Sequence, residues 1–372
     1  MMNKINTINY ITYQTFPANT ANSLQTISNI KYLLRNNMEI NLIFPLRESG
    51  SSDSMEKINY HYGESLNFNI KGTTHNYPFG NFDFFKRFFY IISHFLWSRK
   101  VVKQIDLNNE NHSFFTRSDW VFYFLSKKNA PVIFECHQYT KIRKFIISLS
   151  LKSKNSKIIF LNENLKTDYE KKYTLNNNFL VLQNGVDLEI FKSEAKIRKQ
   201  IIFVGKLTRF GEERGLKFLI SCLLDLENSY SLKIIGASEE EQKIYQNFVN
   251  QLKLNNRVEI LGYENHKSVA KYISESEIGV LINSDTNQHS VKYTSPLKYF
   301  EYLSADVKVV ASDFDAHRKL PYNKNICFFD PNNSESFMNA IIQTEKKPLI
   351  DADDKKIISL DYRAKKIIGL IG

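Results

Sequence analysis

Short runs of apolar residues recur along the chain, and polar stretches long enough for a helix separate them. The runs are rich in valine, isoleucine and phenylalanine without strict alternation, which is typical of parallel strands buried on both faces. In the second half they follow one another at about 18–31 residues, the length of a strand and a crossover helix. The pattern predicts an α/β protein with two doubly wound sheets. The predicted strands are residues 8–13, 40–44, 132–136, 158–161, 180–182, 201–204, 232–235, 258–261, 278–282, 307–311 and 326–329.

A polar stretch separates the two predicted sheets. It follows the turn-forming pair Asn184 and Gly185, and it places the join near residues 191–199. We therefore predict one domain at residues 1–190 and a second at residues 191–354. A chain of 372 residues is long enough to bury two such cores.

The composition is that of a folded protein in a reducing compartment. Apolar residues make up 42% and charged residues 24% of the chain, which excludes wholesale disorder. The three cysteines, Cys136, Cys222 and Cys327, are few, odd in number and far apart, so neither a disulfide framework nor a zinc-knuckle spacing is present. The amino terminus lacks the pattern of a signal peptide, and the longest apolar stretch, residues 88–97, is shorter than the ~20 residues that span a bilayer. We expect a cytoplasmic, soluble protein.

The formal net charge of +11 lies mainly in the first half of the chain. Residues 1–190 carry 23 basic and 15 acidic side chains, whereas residues 191–372 carry 27 and 24. Such an excess suits nucleic acid, an anionic membrane or an anionic substrate, and a solvated basic helix without a partner is the alternative. The basic clusters are Lys86, Arg87, Arg99, Lys100, Lys141, Arg143 and Lys144, and they stand close to Phe82, Phe84, Phe85, Phe88, Phe89 and Phe95.

The segment that follows the strand predicted at 278–282 carries the strongest local signal for a binding site. Ser295 is a good N-cap and Pro296 suits the first helical position, so a helix is predicted to begin here. Its first N–H groups would attract an anion. Lys298 could neutralise a phosphate, and Glu301, on the same helix face, could accept hydrogen bonds from a ribose. The alternative is an ordinary capped helix with one surface ion pair.

The loop after the strand predicted at 201–204 combines glycines with cations, which suits a diphosphate. Its spacing is neither that of a dinucleotide fingerprint nor that of a P-loop, so NAD binding and ATP hydrolysis are not indicated. An ordinary basic loop is the alternative. Its glycines and cations are Gly205, Lys206, Arg209, Gly211, Arg214 and Gly215.

Two further strand ends carry candidate residues. His137 follows the strand predicted at 132–136, directly after Glu135 and Cys136, where a histidine could titrate near neutrality or orient a hydroxyl. A structural histidine is equally compatible with this position. Tyr263 follows Gly262 after the strand at 258–261 and could contact a base, although an ordinary strand-end tyrosine is the alternative.

An acidic run near the end of the chain resembles the Asp-x-Asp that holds a divalent cation in some sugar transferases. It comprises Asp351, Asp353 and Asp354 and stands before a lysine-rich helical segment. Acidic residues there complement the helix dipole, and we prefer this interpretation to a metal site. Serine-hydrolase elbows, zinc-protease motifs and Cys-x-x-Cys do not occur in the sequence.

Taken in order, these pieces resemble the retaining GT-B glycosyltransferases of family 4 over nearly the whole chain. The first loop is similar in its Asn22-Ser23 pair, and the interdomain signature in Asn184-Gly-Val-Asp187 with Phe191. The remaining pieces are Gly205 through Gly215, Gly262-Tyr263, Ser295 through Leu303, Val309 through Asp313, and Tyr362-Arg363-Ala364 at the start of the last helix. The resemblance implies two Rossmann-like domains that face each other across a cleft. It also implies a final helix, residues 355–372, that crosses back to the acceptor-side domain.

The resemblance further implies roles for individual residues. Lys206 and Arg214 would clamp the donor diphosphate, swapped in type relative to the family, and Glu301 would hold the ribose. Tyr293 stands where the family has the first glutamate of its Glu-seven-residues-Glu element, the residue that touches the sugar. We expect His137, Lys206, Arg214 and Glu301 to be catalytic; Gly205, Arg209, Tyr263, Thr294, Ser295, Pro296, Leu297 and Lys298 to bind the donor; and Asn22, Ser23 and Glu135 to lie on the acceptor side.

The implied reaction transfers a sugar from a nucleoside-diphosphate sugar to a glycan or lipid-linked acceptor, with retention of configuration, in cell-surface polysaccharide synthesis. The departing phosphate oxygen would take the acceptor proton on the same face. No cofactor and no metal are expected. Basic and aromatic residues of the first half favour docking on the inner face of an anionic membrane and not on nucleic acid. A non-catalytic nucleotide-sugar binder and a GT-B nucleotide-sugar epimerase are the alternatives.

Overall fold

The computed structural model describes residues 7–77, 86–107, 109–150, 152–172, 178–209 and 211–371, with the side chains of Lys86 and Arg87 excepted. The predicted phenylalanine-rich segment therefore lies in part, at Phe82, Phe84 and Phe85, outside the described residues. The chain divides into two compact units, Met1–Leu182 with Leu360–Gly372, and Gln183–Ser359. The limits expected from the sequence were 1–190 with 355–372, and 191–354.

The first unit is built on a seven-stranded parallel sheet with the strand order β3-β2-β1-β4-β5-β6-β7. Its strands are β1 (Thr7–Ile11), β2 (Glu39–Leu46), β3 (Asn69–Thr74), β4 (His112–Thr116), β5 (Val132–Cys136), β6 (Ser156–Phe160) and β7 (Phe179–Val181). Its helices are α1 (Ala21–Arg35), α2 (Met55–Tyr62), α3 (Lys86–Gln104), α4 (Asp119–Lys127), α5 (Lys141–Ser150), α6 (Glu163–Glu170) and the last helix of the chain, α14 (Leu360–Ile371).

The second unit contains a six-stranded parallel sheet with the order β12-β11-β8-β13-β14-β15 and a separate antiparallel pair, β9-β10. Its strands are β8 (Ile197–Val204), β9 (Thr208–Arg209), β10 (Glu212–Glu213), β11 (Ser231–Ile235), β12 (Val258–Leu261), β13 (Ser276–Leu281), β14 (Lys308–Ser312) and β15 (Ile326–Phe329). Its helices are α7 (Leu216–Cys222), α8 (Glu239–Gln251), α9 (His266–Glu275), α10 (Leu297–Ser304), α11 (Asp315–Arg318), α12 (Ser334–Gln343) and α13 (Ala352–Ile357).

The α/β class and both doubly wound sheets are confirmed. All six strands predicted in the second half are present as β8 and β11 to β15, because each contains a largely apolar run. Two strands of the first unit, β3 and β4, were not predicted. Strand β3, Asn-Ile-Lys-Gly-Thr-Thr, lies at the sheet edge and is mostly polar, and β4 contains only two aromatic residues between polar ones.

The last helix belongs to the core of the first unit. Leu360, Ala364 and Ile367 of α14 are buried in the same apolar cluster as Ile30 of α1 and Ile8 of β1. The expectation that the final helix joins the first unit is therefore met by its packing. No helix among the described residues is long and apolar enough to cross a bilayer.

Local signals explain several helix ends. Thr20 and Ser23 form a capping box at the start of α1, so the helix begins at Ala21 and includes the Asn22-Ser23 pair that we had expected before it. Asp351 is the N-cap of α13, and its carboxylate accepts a hydrogen bond from the Asp354 amide at 2.8 Å. Asp353 and Asp354 lie in the first turn of this helix, as the helix-dipole interpretation of the acidic run predicts.

Candidate functional site

In the second unit, Arg214 and two glycines lie together where the central strand β8 ends. Gly205 follows this strand directly with φ 147°, and a Cβ there would lie 2.8 Å from Nη1 of Arg214. Gly236, after the neighbouring strand β11, approaches equally closely, since its Cβ would lie 2.7 Å from the Gly205 carbonyl oxygen. Only glycine fits both places. The backbone at Gly205 therefore packs closely against the guanidinium group of Arg214.

Arg214 is the central cation of this site. Its guanidinium lies over the ring of Phe203 at 5.0 Å and donates to the carbonyl oxygens of Lys206 at 3.1 Å and Ile282 at 3.0 Å. Its Nε is buried and has no hydrogen-bond partner among the described residues. Burial lowers its pKa to about 10, and Arg209 acts in the same direction. Arg214 is therefore a half-buried cation at neutral pH whose acceptors are uncharged, an arrangement that suits an anionic ligand.

The loop between Lys206 and Gly215 is a short hairpin. Strands β9 and β10 pair antiparallel, and Gly211 adopts a left-handed conformation with φ 84°. Glu213 closes the hairpin onto the next helix by accepting hydrogen bonds from the amides of Leu216 and Lys217 and from the Tyr245 hydroxyl at 3.0 Å. Glu212 accepts from the hydroxyls of Ser284 and Thr286, beyond strand β13. These contacts fix the loop, with Lys206 exposed and Arg209 partly buried.

The helix predicted at residue 296 begins one residue later. Pro296 occupies the N-cap position of α10 and forms no side-chain cap. The predictions that Ser295 is the N-cap and Pro296 the first helical residue were therefore wrong. Ser295 is instead bound by the Asn184 side-chain amide, which donates to its carbonyl oxygen at 2.8 Å and to its hydroxyl at 3.4 Å. Thr294 is buried, and Leu297 is the first residue of the helix.

Lys298 and Glu301 share a face of α10, as the spacing predicted. Lys298 Nζ lies 2.5 Å from Glu301 Oε2, and the Glu301 side chain is only 9% exposed. Tyr293, at the position expected to touch the sugar, is the last residue of a π-helical turn (His289–Tyr293) and is buried. The Lys292 ammonium lies 5.5 Å from its ring.

Tyr263 is not brought into contact with this group. It is 67% exposed after β12, the edge strand two positions from β8. Gly262 beside it is explained by packing, because a Cβ there would lie 2.5 Å from the Gln242 side-chain nitrogen.

In the first unit, the acceptor-side candidates form one hydrogen-bonded network. Glu135 is fully buried at the end of β5, and its Oε1 accepts a hydrogen bond from Nε2 of His137. Arg117, after β4, lies 3.0 Å from Nδ1 of His137 and donates to Oδ1 of Asn22 at 3.2 Å. Arg363 of α14 pairs with the other Glu135 oxygen and donates to the Leu182 carbonyl at 3.0 Å.

Ser23 stands apart from that network. Its hydroxyl is buried in the cap of α1, where it bonds the Thr20 hydroxyl at 2.9 Å and the Ala18 carbonyl at 2.5 Å. It serves the helix start and the loop before it.

The charges of the network set its protonation. Burial alone would raise the pKa of Glu135, but Arg363, His137 and Arg117 together lower it. Burial lowers the pKa of His137 to about 3, and Arg117 adds to this effect against Glu135. At neutral pH, Glu135 is therefore ionised and His137 is neutral.

Sequence reasoning missed Arg117, because β4, the strand that positions it, was missed as well. Arg363 and Asn184 were noted within motifs but were given no role. The described residues contain no group of three or more His, Cys, Asp or Glu side chains that could hold a metal ion.

The two units differ sharply in charge. The residues of the first unit, 1–182 and 360–372, include 26 Lys and Arg against 14 Asp and Glu, a formal charge of +12. The second unit has 24 against 25, a formal charge of −1. The positive excess of the chain thus belongs entirely to the first unit, and the cations around Arg214 stand in a nearly neutral one.

Comparisons with known proteins agree with this architecture. Residues 198–346 match the family model described as glycosyl transferases group 1. No curated protein matches the chain by sequence. Solved structures match over nearly their full length. A TarM variant from S. aureus, in complex with UDP and α-GlcNAc-glycerol, has a TM-score of 0.69 at 12% identity and covers 98% of this chain and 99% of its own.

Two further structures are similar over nearly the whole chain. Sucrose-phosphate synthase from Thermosynechococcus elongatus has a TM-score of 0.66 at 14% identity and covers 98% of this chain and 94% of its own. HepE from Anabaena, in complex with UDP-glucose, has a TM-score of 0.61 at 14% identity with the same coverage. The chain therefore has the GT-B fold of these structures, and its second unit carries the match to the glycosyl transferases group 1 family.

Proposed function

We propose that the protein transfers a sugar from a nucleoside-diphosphate sugar to a glycan or lipid-linked acceptor, with retention of anomeric configuration. The observation that carries the proposal is the half-buried Arg214 guanidinium beside Gly205, at the carboxyl end of the central strand. Ligands of open α/β sheets bind at such strand ends. Because the hydrogen-bond acceptors of Arg214 among the described residues are uncharged carbonyl oxygens, its charge can be offered to a diphosphate. TarM and HepE, the similar structures named above, were solved with UDP or UDP-glucose.

The other residues of the second unit complete a donor site of this kind. Lys206, the exposed residue after Gly205, would supply a second cation that interacts with the diphosphate. Glu301, paired with Lys298, presents a carboxylate on α10 and would accept hydrogen bonds from the ribose diol. Two cations stabilise a departing nucleoside diphosphate electrostatically, without a metal ion.

A non-catalytic nucleotide-sugar binder is the second candidate function, and the burial of Tyr293 favours it. A buried phenol at the position expected to touch the sugar cannot supply the carboxylate of the related transferases. Binding of the donor would remain in that case, whereas turnover would be lost.

The two candidates are separated by binding and turnover measured on the same protein. UDP-, GDP-, ADP- and CMP-sugars are first screened by thermal shift, because specific binding raises the melting temperature. The donor that binds is then incubated with acceptors, and the anomeric configuration of any product is read by NMR. A product that keeps the anomeric configuration of the donor supports the proposal. A melting shift without transfer or hydrolysis favours the non-catalytic binder, and inverted product contradicts retention.

We further propose that the first unit docks on an anionic membrane, where an acceptor for cell-surface polysaccharide would be presented. Its charge of +12 supports this, as do exposed apolar side chains near the starts of two helices. Phe88 on α3 is 58% exposed and Phe145 on α5 is 57% exposed. Arg143 of α5 holds Asp119 at the start of α4 at 2.6 Å, and α4 packs against α3 as well, so these helices form one layer. Apolar side chains among lysines are typical of surfaces that insert into the headgroup region.

Liposome flotation tests this docking. The protein is expected to float with vesicles that contain roughly 30% phosphatidylglycerol and not with neutral phosphatidylcholine vesicles. The double variant Phe88→Ser/Phe145→Ser should lose most of this binding. Tyr60→Ser is the matched control, because Tyr60 is an exposed aromatic residue of the same unit on α2. Flotation that is independent of anionic lipid, or equal in the double variant and the control, would remove the docking proposal.

A further inference from the structure

Both ring nitrogens of His137 are occupied. Nδ1 lies 3.0 Å from Nη2 of Arg117, and Nε2 contacts Oε1 of Glu135. A guanidinium has only donors, so Nδ1 must accept and carries no proton. The proton of the neutral ring therefore sits on Nε2, which donates it to the carboxylate. One tautomer of the imidazole is selected by two charged neighbours of opposite sign.

The partners of His137 are themselves fixed. The side chain of Glu135 is fully buried, and those of Arg117 and Arg363 are nearly so. Arg117 Nε also lies 3.5 Å from Glu135 Oε1, and Arg363 holds the second carboxylate oxygen. The cluster contains two arginines and one carboxylate, so it retains a net positive charge with a neutral histidine. That charge opposes the addition of another proton, which agrees with the lowered pKa of the ring.

Arg117 also ties the ring to the start of α1. It donates to the Oδ1 of Asn22 at 3.2 Å and reaches the Asn22 carbonyl oxygen at 3.5 Å. Asn22 is exposed and the His137 side chain is 21% exposed, so the network opens to solvent on this side. Arg117 thus holds the partly exposed imidazole ring of His137 in one orientation.

We propose that Arg117 is a positioning residue of the acceptor-side site: it holds His137 as a neutral, Nε2-protonated ring in one fixed orientation, so that neither nitrogen serves as a base. The proposal rests on the proposed function in assigning this network to the acceptor side. Arg117 lies outside every motif identified in the sequence. The proposal also changes the role expected for His137, which then contributes a fixed surface and no proton transfer.

The state of the ring is measured directly in the full-length protein with ¹⁵N-labelled histidine. The His137 signals are assigned by their loss in His137→Gln. The wild-type protein is expected to show the Nε2–H tautomer without titration between about pH 5 and 8.5. In Arg117→Met, Glu135 still accepts from Nε2–H, so the ring should gain a second proton on Nδ1 and populate the doubly protonated form. Arg117→Lys keeps a charged donor and should restore the wild-type pattern in part.

Activity supplies the second readout. Arg117→Met should lower kcat roughly 10–100-fold through misplacement of the ring, with little change in KM for the nucleotide sugar. Lys31→Met is the matched control, because it removes a largely buried cation of the same unit whose partner is Glu64 at 3.0 Å, away from His137. It should lose stability without a change in the His137 spectrum.

Two results would overturn the proposal: an unchanged His137 spectrum in Arg117→Met, or a wild-type ring that titrates near pH 6.5. If Arg117→Met fails to fold, Arg117→Gln, which keeps an amide donor without the charge, carries the same spectroscopic comparison. If the wild-type protein transfers no sugar, the proposed function fails, and the spectra still decide the role of Arg117.

Discussion

Replacing Arg214 with methionine should separate ligand binding from folding in the second unit. In the unliganded protein, burial lowers the pKa of Arg214 from 12.5 to about 10. This corresponds to a charge penalty of about 3 kcal/mol, which the substitution removes. The substitution also leaves the carbonyl acceptors of Lys206 and Ile282 without their donor, at about 1–2 kcal/mol each. The two effects nearly cancel, so the free energy of unfolding should change by about 1 kcal/mol or less.

Donor binding should respond very differently. A cation about 4 Å from one phosphate charge contributes about 4 kcal/mol at an effective dielectric constant near 20. Desolvation of both groups offsets part of this, which leaves about 2–4 kcal/mol. We therefore expect Arg214→Met to weaken binding of the nucleoside-diphosphate sugar roughly 30- to 700-fold.

Calorimetric titration with the donor and urea unfolding without it measure the two quantities on the same preparation. Arg257→Met is the matched control. Arg257 also donates to carbonyl oxygens, including that of Tyr230 at 2.9 Å, and burial lowers its pKa too, but it stands before β12, at the amino end of the strand. This variant should lose stability and keep donor affinity. The reasoning is refuted if Arg214→Met binds the donor as the wild type does, or if it is destabilised by more than about 3 kcal/mol.

Three further variants test other contacts. Glu301→Gln removes the charge that Lys298 pairs with and should lower kcat/KM for the donor roughly 10–100-fold, with the melting temperature nearly unchanged; steady-state kinetics check this. Gly205→Ala adds a Cβ at φ 147°, 2.8 Å from Nη1 of Arg214, so it should cost about 1–3 kcal/mol in urea unfolding and weaken donor binding as well. Burial lowers the pKa of His317 from 6.5 to about 4. As the pH falls below 6.5, His317 therefore takes up a proton in the unfolded chain before it does so in the folded protein, and the free energy of unfolding decreases between pH 6.5 and 4. His317→Gln should therefore reduce the loss of unfolding free energy between pH 7 and 5 by about 2 kcal/mol, which urea unfolding at the two pH values measures.

The second unit could be predicted closely from the sequence because its signals are local. Each strand of its six-stranded sheet contains an apolar run, and some candidate residues follow such a run closely, as Gly205 follows β8. The Lys298–Glu301 pair likewise follows from helical spacing alone. The start of α10 was misplaced because Asn184, more than a hundred residues away, holds Ser295 and so takes it out of the cap. That contact depends on the tertiary fold, which local propensity does not contain.

The first unit shows the same limit more strongly. Its network joins Asn22, Arg117, Glu135 and Arg363, which come from the first turn of one helix, the ends of two adjacent strands and the last helix of the chain. No spacing rule connects these positions, and the strand that presents Arg117 is short and flanked by polar residues. Once the sheet order places β4 beside β5, however, Arg117 and Glu135 must end at the same edge, because parallel neighbours finish together. The strand order thus brings residues that are distant in sequence into one site, where burial and the nearby Arg117 keep His137 neutral.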